Sequence, residues 1–304
     1  MLTIQQTRIF LLQKYFENKP LYNMTFLVDL DGPIDTKILE KSINFLCLIE
    51  PVLNTNIKLI DGYPQVFFNK NKIKIEETII NYQIKENELK NYIFDLGNDK
   101  LFKLVYCKKD SKIICLFHDL IIDGKTILIF FDKLSIIYNN FIKNRLPKLK
   151  KNDYYSQKFK YNIDEIRDIL FKENFIEFPI EKNNIKPFDF EEDRIYFEIT
   201  PNLFIEINKF IHKREITIFQ LFQSILFLLI NRYSNNIKVS IDTIFDCSKD
   251  NSIGLYNNTV IIPYIFKNKD LTVLEYLDDI KKINKIIMDN KNIPLEYIIN
   301  KLEL

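Results

Sequence analysis

The chain has 304 residues, 47% of them hydrophobic, with 43 basic against 41 acidic side chains. That is enough apolar material for a large core or for two lobes of ordinary domain size. The near balance of charge argues against a nucleic-acid binder, which usually carries a strong basic excess.

In chain order, residues 3–17 read as an amphipathic helix and Met24–Leu30 as a strand. Gly32-Pro33 turns the chain, and Asp35 is a good N-cap for a helix on which Ile38, Leu39, Ser42, Phe45 and Leu46 recur. Leu53–Ile60 and Gln65–Phe68 are expected to pair as a hairpin about Asp61-Gly62. A helix is expected over Glu86–Phe94, then strands at Leu101–Cys107 and Lys112–Phe117. The second of these strands delivers His118 at its end. Asp123-Gly124 then leads into a long apolar helix over Thr126–Phe141. All five glycines fall at expected turns, where a positive φ is cheap for glycine.

Residues 145–193 are polar and contain Pro147, Pro179 and Pro187, so a linker is placed there. The basic cluster Lys143, Arg145, Lys148, Lys150 and Lys151 reads first as part of that solvated linker, and second as a docking surface for an acidic partner. A second unit is expected to begin with a strand at Arg194–Ile199. Thr200-Pro201 and Thr217 are helix starts. The run Ile218–Ile230 includes Gln220, Gln223 and Ser224 and is shorter than the about 20 apolar residues that span a bilayer. It is expected to be a buried core helix, and no membrane partner is expected. Strands at Lys238–Phe245 and Asn258–Phe266 follow, then helices over Thr272–Asp289 and from Leu295 onward. Domain limits are set at 1–160, with a linker at 161–193 and a second lobe at 194–304.

Four scattered cysteines (Cys47, Cys107, Cys115, Cys247) form no CxxC pair, and there are two histidines. No metal site is expected, and free thiols in a reducing cytosol are the simplest account. Met1–Leu12 lacks the basic and apolar regions of a secretory signal. The location expected is cytoplasmic. There is no GxSxG elbow and no glycine-rich phosphate loop, which argues against a serine hydrolase or a phosphate-binding enzyme. His212 stands beside Lys213 and Arg214 near a helix C-terminus, where a cationic end explains it.

The most informative run is Phe117-His118-Asp119-Leu120-Ile121-Ile122-Asp123-Gly124. It resembles the HHxxxDG motif of nonribosomal peptide synthetase condensation domains, with Asp119 in place of the second histidine. Four further segments resemble that family's motifs in the family's order. Thr3–Leu12 is similar to SxAQxRLWxL. Leu48–Ile57 is similar to RHExLRTxF, with Glu50, Leu53 and Thr55 matching. Ile253–Thr259 is similar to IGxFVNT, and Asn290–Glu296 to HQDxPFE.

The resemblance implies an α/β, two-lobed, chloramphenicol-acetyltransferase-like fold. It implies amide formation between acyl and amine groups held on phosphopantetheine arms of acyl or peptidyl carrier proteins, with no cofactor bound to this chain. The chain stops at Leu304, before an RNPLF-type motif, so the second lobe is expected to be incomplete, to expose apolar surface and to self-associate.

For the site residues, the resemblance implies His118, Asp119, Asp123 and Gly124 as the catalytic motif: His118 matches the more structural first histidine, Asp119 stands where the base is missing, either Asp119 or His118 would have to replace that base, and Asp123 anchors the motif. Arg8 is a candidate partner for Asp123, which alternatively only caps the following helix, and the two roles are compatible. Asn258 and Thr259 are candidates to line the substrate tunnel, with ordinary strand polarity as the alternative. An aspartate at its reference pKa is about 2.6 units more acidic than a histidine, so activity is expected to be impaired unless burial raises it. The alternative is a non-catalytic module that binds a carrier protein or partner enzyme, or a remnant.

Overall fold

The computed structural model describes residues 2–152, 154–156, 161–171, 195–248, 251–267 and 271–302. The chain divides into two compact units. The first comprises residues 1–160 and 246–258, the second residues 161–245 and 259–304.

In the first unit, helix α1 (Ile4–Tyr15) starts from a capping box in which Thr3 and Gln6 satisfy each other's backbone amides. Strand β1 (Asn23–Asp29) leads to helix α2 (Thr36–Ile49), capped by Asp35, whose carboxylate accepts from the Lys37 and Ile38 amides. Strands β2 (Thr55–Ile60) and β3 (Tyr63–Phe68) form the expected hairpin. Asp61 (φ 51°) and Gly62 (φ 80°) both take the left-handed conformation that a tight two-residue turn requires. Gly62 is the one glycine with positive φ, so turn conformation does not explain the other four.

Strand β4 (Glu76–Thr78) precedes helix α3 (Tyr82–Lys90), which starts and ends about one turn before the expected span because Asn81 caps it at the Gln83 amide. Strands β5 (Phe102–Cys107) and β6 (Lys112–His118) complete a four-stranded sheet in the order β1-β6-β5-β4. Its pairs are antiparallel except β4 with β5. Strand β6 is central, and Ile113–His118 is buried throughout, as a strand covered on both faces must be. Phe117 packs on Phe130 of helix α4 (Thr126–Ile142), at 5.0 Å between ring centroids. Alternation then points His118 to the opposite face.

The chain after α4 is not a free linker. The Asn152 amide donates to the Ile49 carbonyl (2.8 Å), and Tyr154 is buried in the first unit's core. Further on, α5 (Asp164–Arg167) is a short helix, and Ile163 and Ile166 bury against Ile293 and Ile298 in the second unit. The spaced apolar residues Tyr154, Ile163 and Ile166 are what the polar average of this stretch conceals. Of the stretch first read as linker, residues 153, 157–160 and 172–193 lie outside the described residues.

In the second unit, α6 (Pro201–Arg214) and α7 (Ile218–Ser234) start at Thr200 and Thr217 as expected. Strands β7 (Lys238–Asp246) and β8 (Asn257–Ile265) pair, and α8 (Val273–Asn290) and α9 (Leu295–Leu302) follow. Phe227, Val239, Ile262, Tyr264, Tyr276 and Ile280 form its core.

Two expectations fail here. Residues 195–199 are not a strand. They pair with no other strand among the described residues, and Ile195, Tyr196 and Phe197 are exposed. Helix α7 is not a buried core helix either: it buries Gln223, Ser224, Phe227 and Ile230, while Phe219, Phe222, Ile225 and Leu229 are exposed. Gln223 is held there by Asn284 Nδ2 (2.8 Å). The segment 246–258, assigned by sequence to the second lobe, belongs to the first unit, for reasons given by its hydrogen bonds below. No single helix among the described residues is long and apolar enough to cross a membrane.

Candidate active site

The end of β6 and the turn before α4 carry the site. His118 is 1% exposed, and its Nδ1 accepts from the Leu120 amide (3.2 Å). An accepting Nδ1 places the proton on Nε2. That atom is buried without a hydrogen-bond partner, and the ring centroids of Tyr22 and Phe94 stand 6.1 and 5.9 Å from that of the imidazole. Burial pushes the His118 pKa down to about 3. A neutral imidazole fixed in this way orders the turn and is too weak a base for neutral pH.

Asp119 follows on the other side of the strand. Its amide donates to the Tyr22 carbonyl (3.0 Å). Its Oδ1 is buried and has no hydrogen-bond partner. Burial first, and the neighbouring Asp123 charge second, push its pKa up to about 7. Arg8 lies close enough to Tyr22 to oppose the rise in that phenol's pKa, to which Asp119 adds. The structure thus gathers Arg8, Tyr22, Asp119 and Asp123 into one group.

Asp123 is 2% exposed and satisfied by backbone amides. Oδ1 accepts from Lys125 (3.2 Å) and Thr126 (2.9 Å), so it caps α4. Oδ2 accepts from Tyr256 (2.7 Å) and Asn257 (3.1 Å). Four amides supply what a buried carboxylate needs. Asp123 thus satisfies the first amide of α4. Gly124 leaves open space: a Cβ there would meet nothing within 4 Å.

Residues 251–257 are bound to this turn by further contacts. The Thr126 hydroxyl accepts from the Asp123 amide (3.0 Å) and donates to the Gly254 carbonyl (2.8 Å). Tyr154 donates to the Leu255 carbonyl (2.7 Å), and its ring packs so close to Gly254 that a Cβ there would stand 2.3 Å from it. Lys133 and Glu50, 7% and 1% exposed, form a buried ion pair. Lys133 also reaches the Asn251 carbonyl, and Glu50 accepts from Asn152 Nδ2 (2.7 Å) and the Ile253 amide (3.4 Å). Asn258 is buried and accepts from Gln5 Nε2 (3.5 Å). Thr259, one residue on, is half-buried and belongs to the second unit.

Sequence reading passed over several of these residues. Gln6 is fully buried and donates to the Leu120 carbonyl (2.8 Å) inside the motif turn and to the Tyr155 hydroxyl (3.2 Å). Lys133 falls on the apolar stripe of α4 with Phe130, Leu134 and Ile137, and a lysine at that phase signals a buried partner. Among the described residues no cluster of histidine, cysteine or carboxylate side chains could hold a metal ion. His212 is exposed on the last turn of α6, far in chain order from these residues.

A family model, described as the condensation domain, matches residues 1–304. The chain belongs to the condensation-domain family. It is 23% identical over 315 residues to surfactin synthase subunit 2 of Bacillus subtilis (strain 168), an alignment that covers 98% of this chain and 9% of that protein. It is likewise 23% identical over 331 residues to bacitracin synthase 2 of Bacillus licheniformis, covering 100% of this chain and 12% of that one. The chain thus spans a small fraction of the curated relatives it matches.

The X-domain from teicoplanin biosynthesis superposes with a TM-score of 0.79 at 16% identity, over 100% of this chain and 73% of that one. The condensation domain from the monacolin K polyketide synthase MokA gives 0.75 at 16% identity, over 100% and 76%. These matches bear out the condensation-domain, chloramphenicol-acetyltransferase-like α/β fold expected from the motifs.

Proposed function

We propose that this condensation domain forms an amide bond between an acyl thioester and an amine, both carried on phosphopantetheine arms of carrier proteins or neighbouring synthetase modules in the cytoplasm, with Asp119 as the general base. The carboxylate of Asp119 takes the proton as the amine nitrogen attacks the thioester carbonyl. The tetrahedral intermediate then expels the arm's thiolate, which takes up a proton. The supporting observation is the buried, unpartnered Oδ1 of Asp119 on a carboxyl whose pKa is pushed up to about 7. A base with its pKa near working pH is what such a step requires. The deficit of an ordinary aspartate against histidine is therefore largely removed by burial. His118 and Asp123 act as positioning residues, the first by ordering the turn and the second by tying it to residues 256 and 257.

The test uses an acyl pantetheine thioester and a free amine, with product amide measured by mass spectrometry. Amide formation by the parent that is lost in Asp119→Asn supports the reading. No product from the parent together with product from Asp119→His means the scaffold is sound and silenced, which favours a non-catalytic role.

A further inference from the structure

On the surface of the first unit, Lys90, Lys108 and Lys112 form ion pairs with Glu86, Glu77 and Asp29. One groove gathers five lysines that form none among the described residues. It has a volume of about 690 Å3 and runs between α2, the end of β3 and residues 69–74, with Phe141 of α4 at one end. Lys37, Lys41, Lys70, Lys72 and Lys74 line it, all exposed, and none forms an ion pair among the described residues. The one carboxylate in the lining, Glu40, is engaged by the Ile75 amide (2.9 Å).

A sixth lysine lies half-buried beside the lining. Lys100 donates to Asn54 Oδ1 and to the Asn69 carbonyl (2.8 Å), both groups of lining residues and both neutral. Burial pushes its pKa down, as expected for a cation without a counter-ion.

Besides four asparagines and Cys47, the lining carries the apolar side chains Phe45, Leu48, Phe68, Ile73 and Phe141. Leu48 and Phe68 are 68% and 52% exposed. Lys41 stands over the Phe141 ring at 4.3 Å, so cations and aromatic surface are interleaved. The basic run Lys143–Lys151 is joined at both ends to residues in or next to the groove. It leaves α4 two residues after Phe141, and Asn152 is bonded to Ile49, the neighbour of Leu48.

We propose that this groove docks an acidic amphipathic helix of a partner protein. The charge pattern requires several carboxylates at once, and the apolar floor requires a partner with apolar side chains between them. A helix with one acidic and one apolar face supplies both. A free phosphate or a nucleic-acid backbone would neutralise the lysines but leave the exposed Leu48 side chain and Phe68 ring without contacts. The proposal is independent of the chemistry at Asp119.

The experiment uses the full chain and a fluorescein-labelled helical peptide with Leu along one face and Glu along the other, followed by fluorescence anisotropy at physiological ionic strength. Binding is expected to weaken roughly tenfold in the double variant K41E/K72E and again in the independent pair K37E/K70E. These lysines are exposed, and circular dichroism checks that each variant stays folded. The same peptide with Lys in place of Glu should bind K41E/K72E better than it binds the parent. The proposal is overturned if the acidic peptide fails to bind, if both charge reversals leave binding unchanged, or if a single-stranded oligonucleotide competes as well as the peptide.

Discussion

Replacing Lys133 by methionine isolates the contact that fastens residues 251–253 to α4. Lys133 and Glu50 are 7% and 1% exposed, so water contributes little to either charge. Removing one member of a buried pair typically costs about 3–5 kcal/mol, because the other is left uncompensated. After Lys133→Met, Glu50 keeps a good hydrogen bond from Asn152 Nδ2 (2.7 Å) and a long one from the Ile253 amide (3.4 Å). One good neutral donor offsets part of the loss, which sets the expectation at about 3 kcal/mol. With a urea m-value of about 2 kcal/mol/M, the midpoint should fall by roughly 1.5 M, read by circular dichroism at neutral pH. Adding Glu50→Gln to Lys133→Met removes the stranded charge and should recover all but about 1 kcal/mol. A single variant that loses less than about 1 kcal/mol, or a double variant less stable than the single, would refute this reasoning.

Three further outcomes follow from the geometry. Because the Asp119 pKa is raised from 3.8 to about 7, the folded state holds that proton more tightly than the unfolded chain, and stability declines as pH rises from about 4 to about 7. Asp119→Asn should therefore match the parent in acid and exceed it by roughly 2 kcal/mol at pH 8, allowing for partial exposure, in paired urea titrations. Gly254→Ala places a Cβ 2.3 Å from the Tyr154 ring and should cost about 1–3 kcal/mol by the same titration, with most of that loss absent in a Tyr154→Leu background. Thiol labelling of the native chain should modify Cys247 well before the others. Cys47 and Cys115 are buried, and burial pushes their thiols up, Cys47 to about 12, while Cys107 is raised as well.

The strands of the first unit and the helix caps of both units were legible because each has a local signature. Asp35, Thr200 and Thr217 cap where expected, and β6 reads as one apolar run ending at His118. Helix α3 was displaced by about a turn because Asn81, an ordinary surface residue in the sequence, supplies its cap. Helix α7 was misjudged because an almost wholly apolar run carries no periodicity to say which face is buried. In the site, the identity of Asp119 was visible but its pKa was not, since that depends on burial and on Asp123. The partners of Asp123 were invisible because the Tyr256 and Asn257 groups that reach it are backbone amides, which every residue but proline has. Lys133 carried a signal that was missed, a charge on an apolar stripe, and so did Tyr154 and Tyr155 within a stretch averaged as polar.

The most direct test is the pH dependence of amide formation from an acyl pantetheine thioester and a semicarbazide acceptor, a weakly basic nucleophile that is unprotonated from pH 5 to 9. If Asp119 is the base, the parent's rate rises with pH to a plateau with an apparent pKa near 7, and Asp119→Asn lowers the plateau by roughly 100-fold or more. A parent profile that is flat from pH 5 to 9, or an Asp119→Asn variant as fast as the parent, would contradict the assignment.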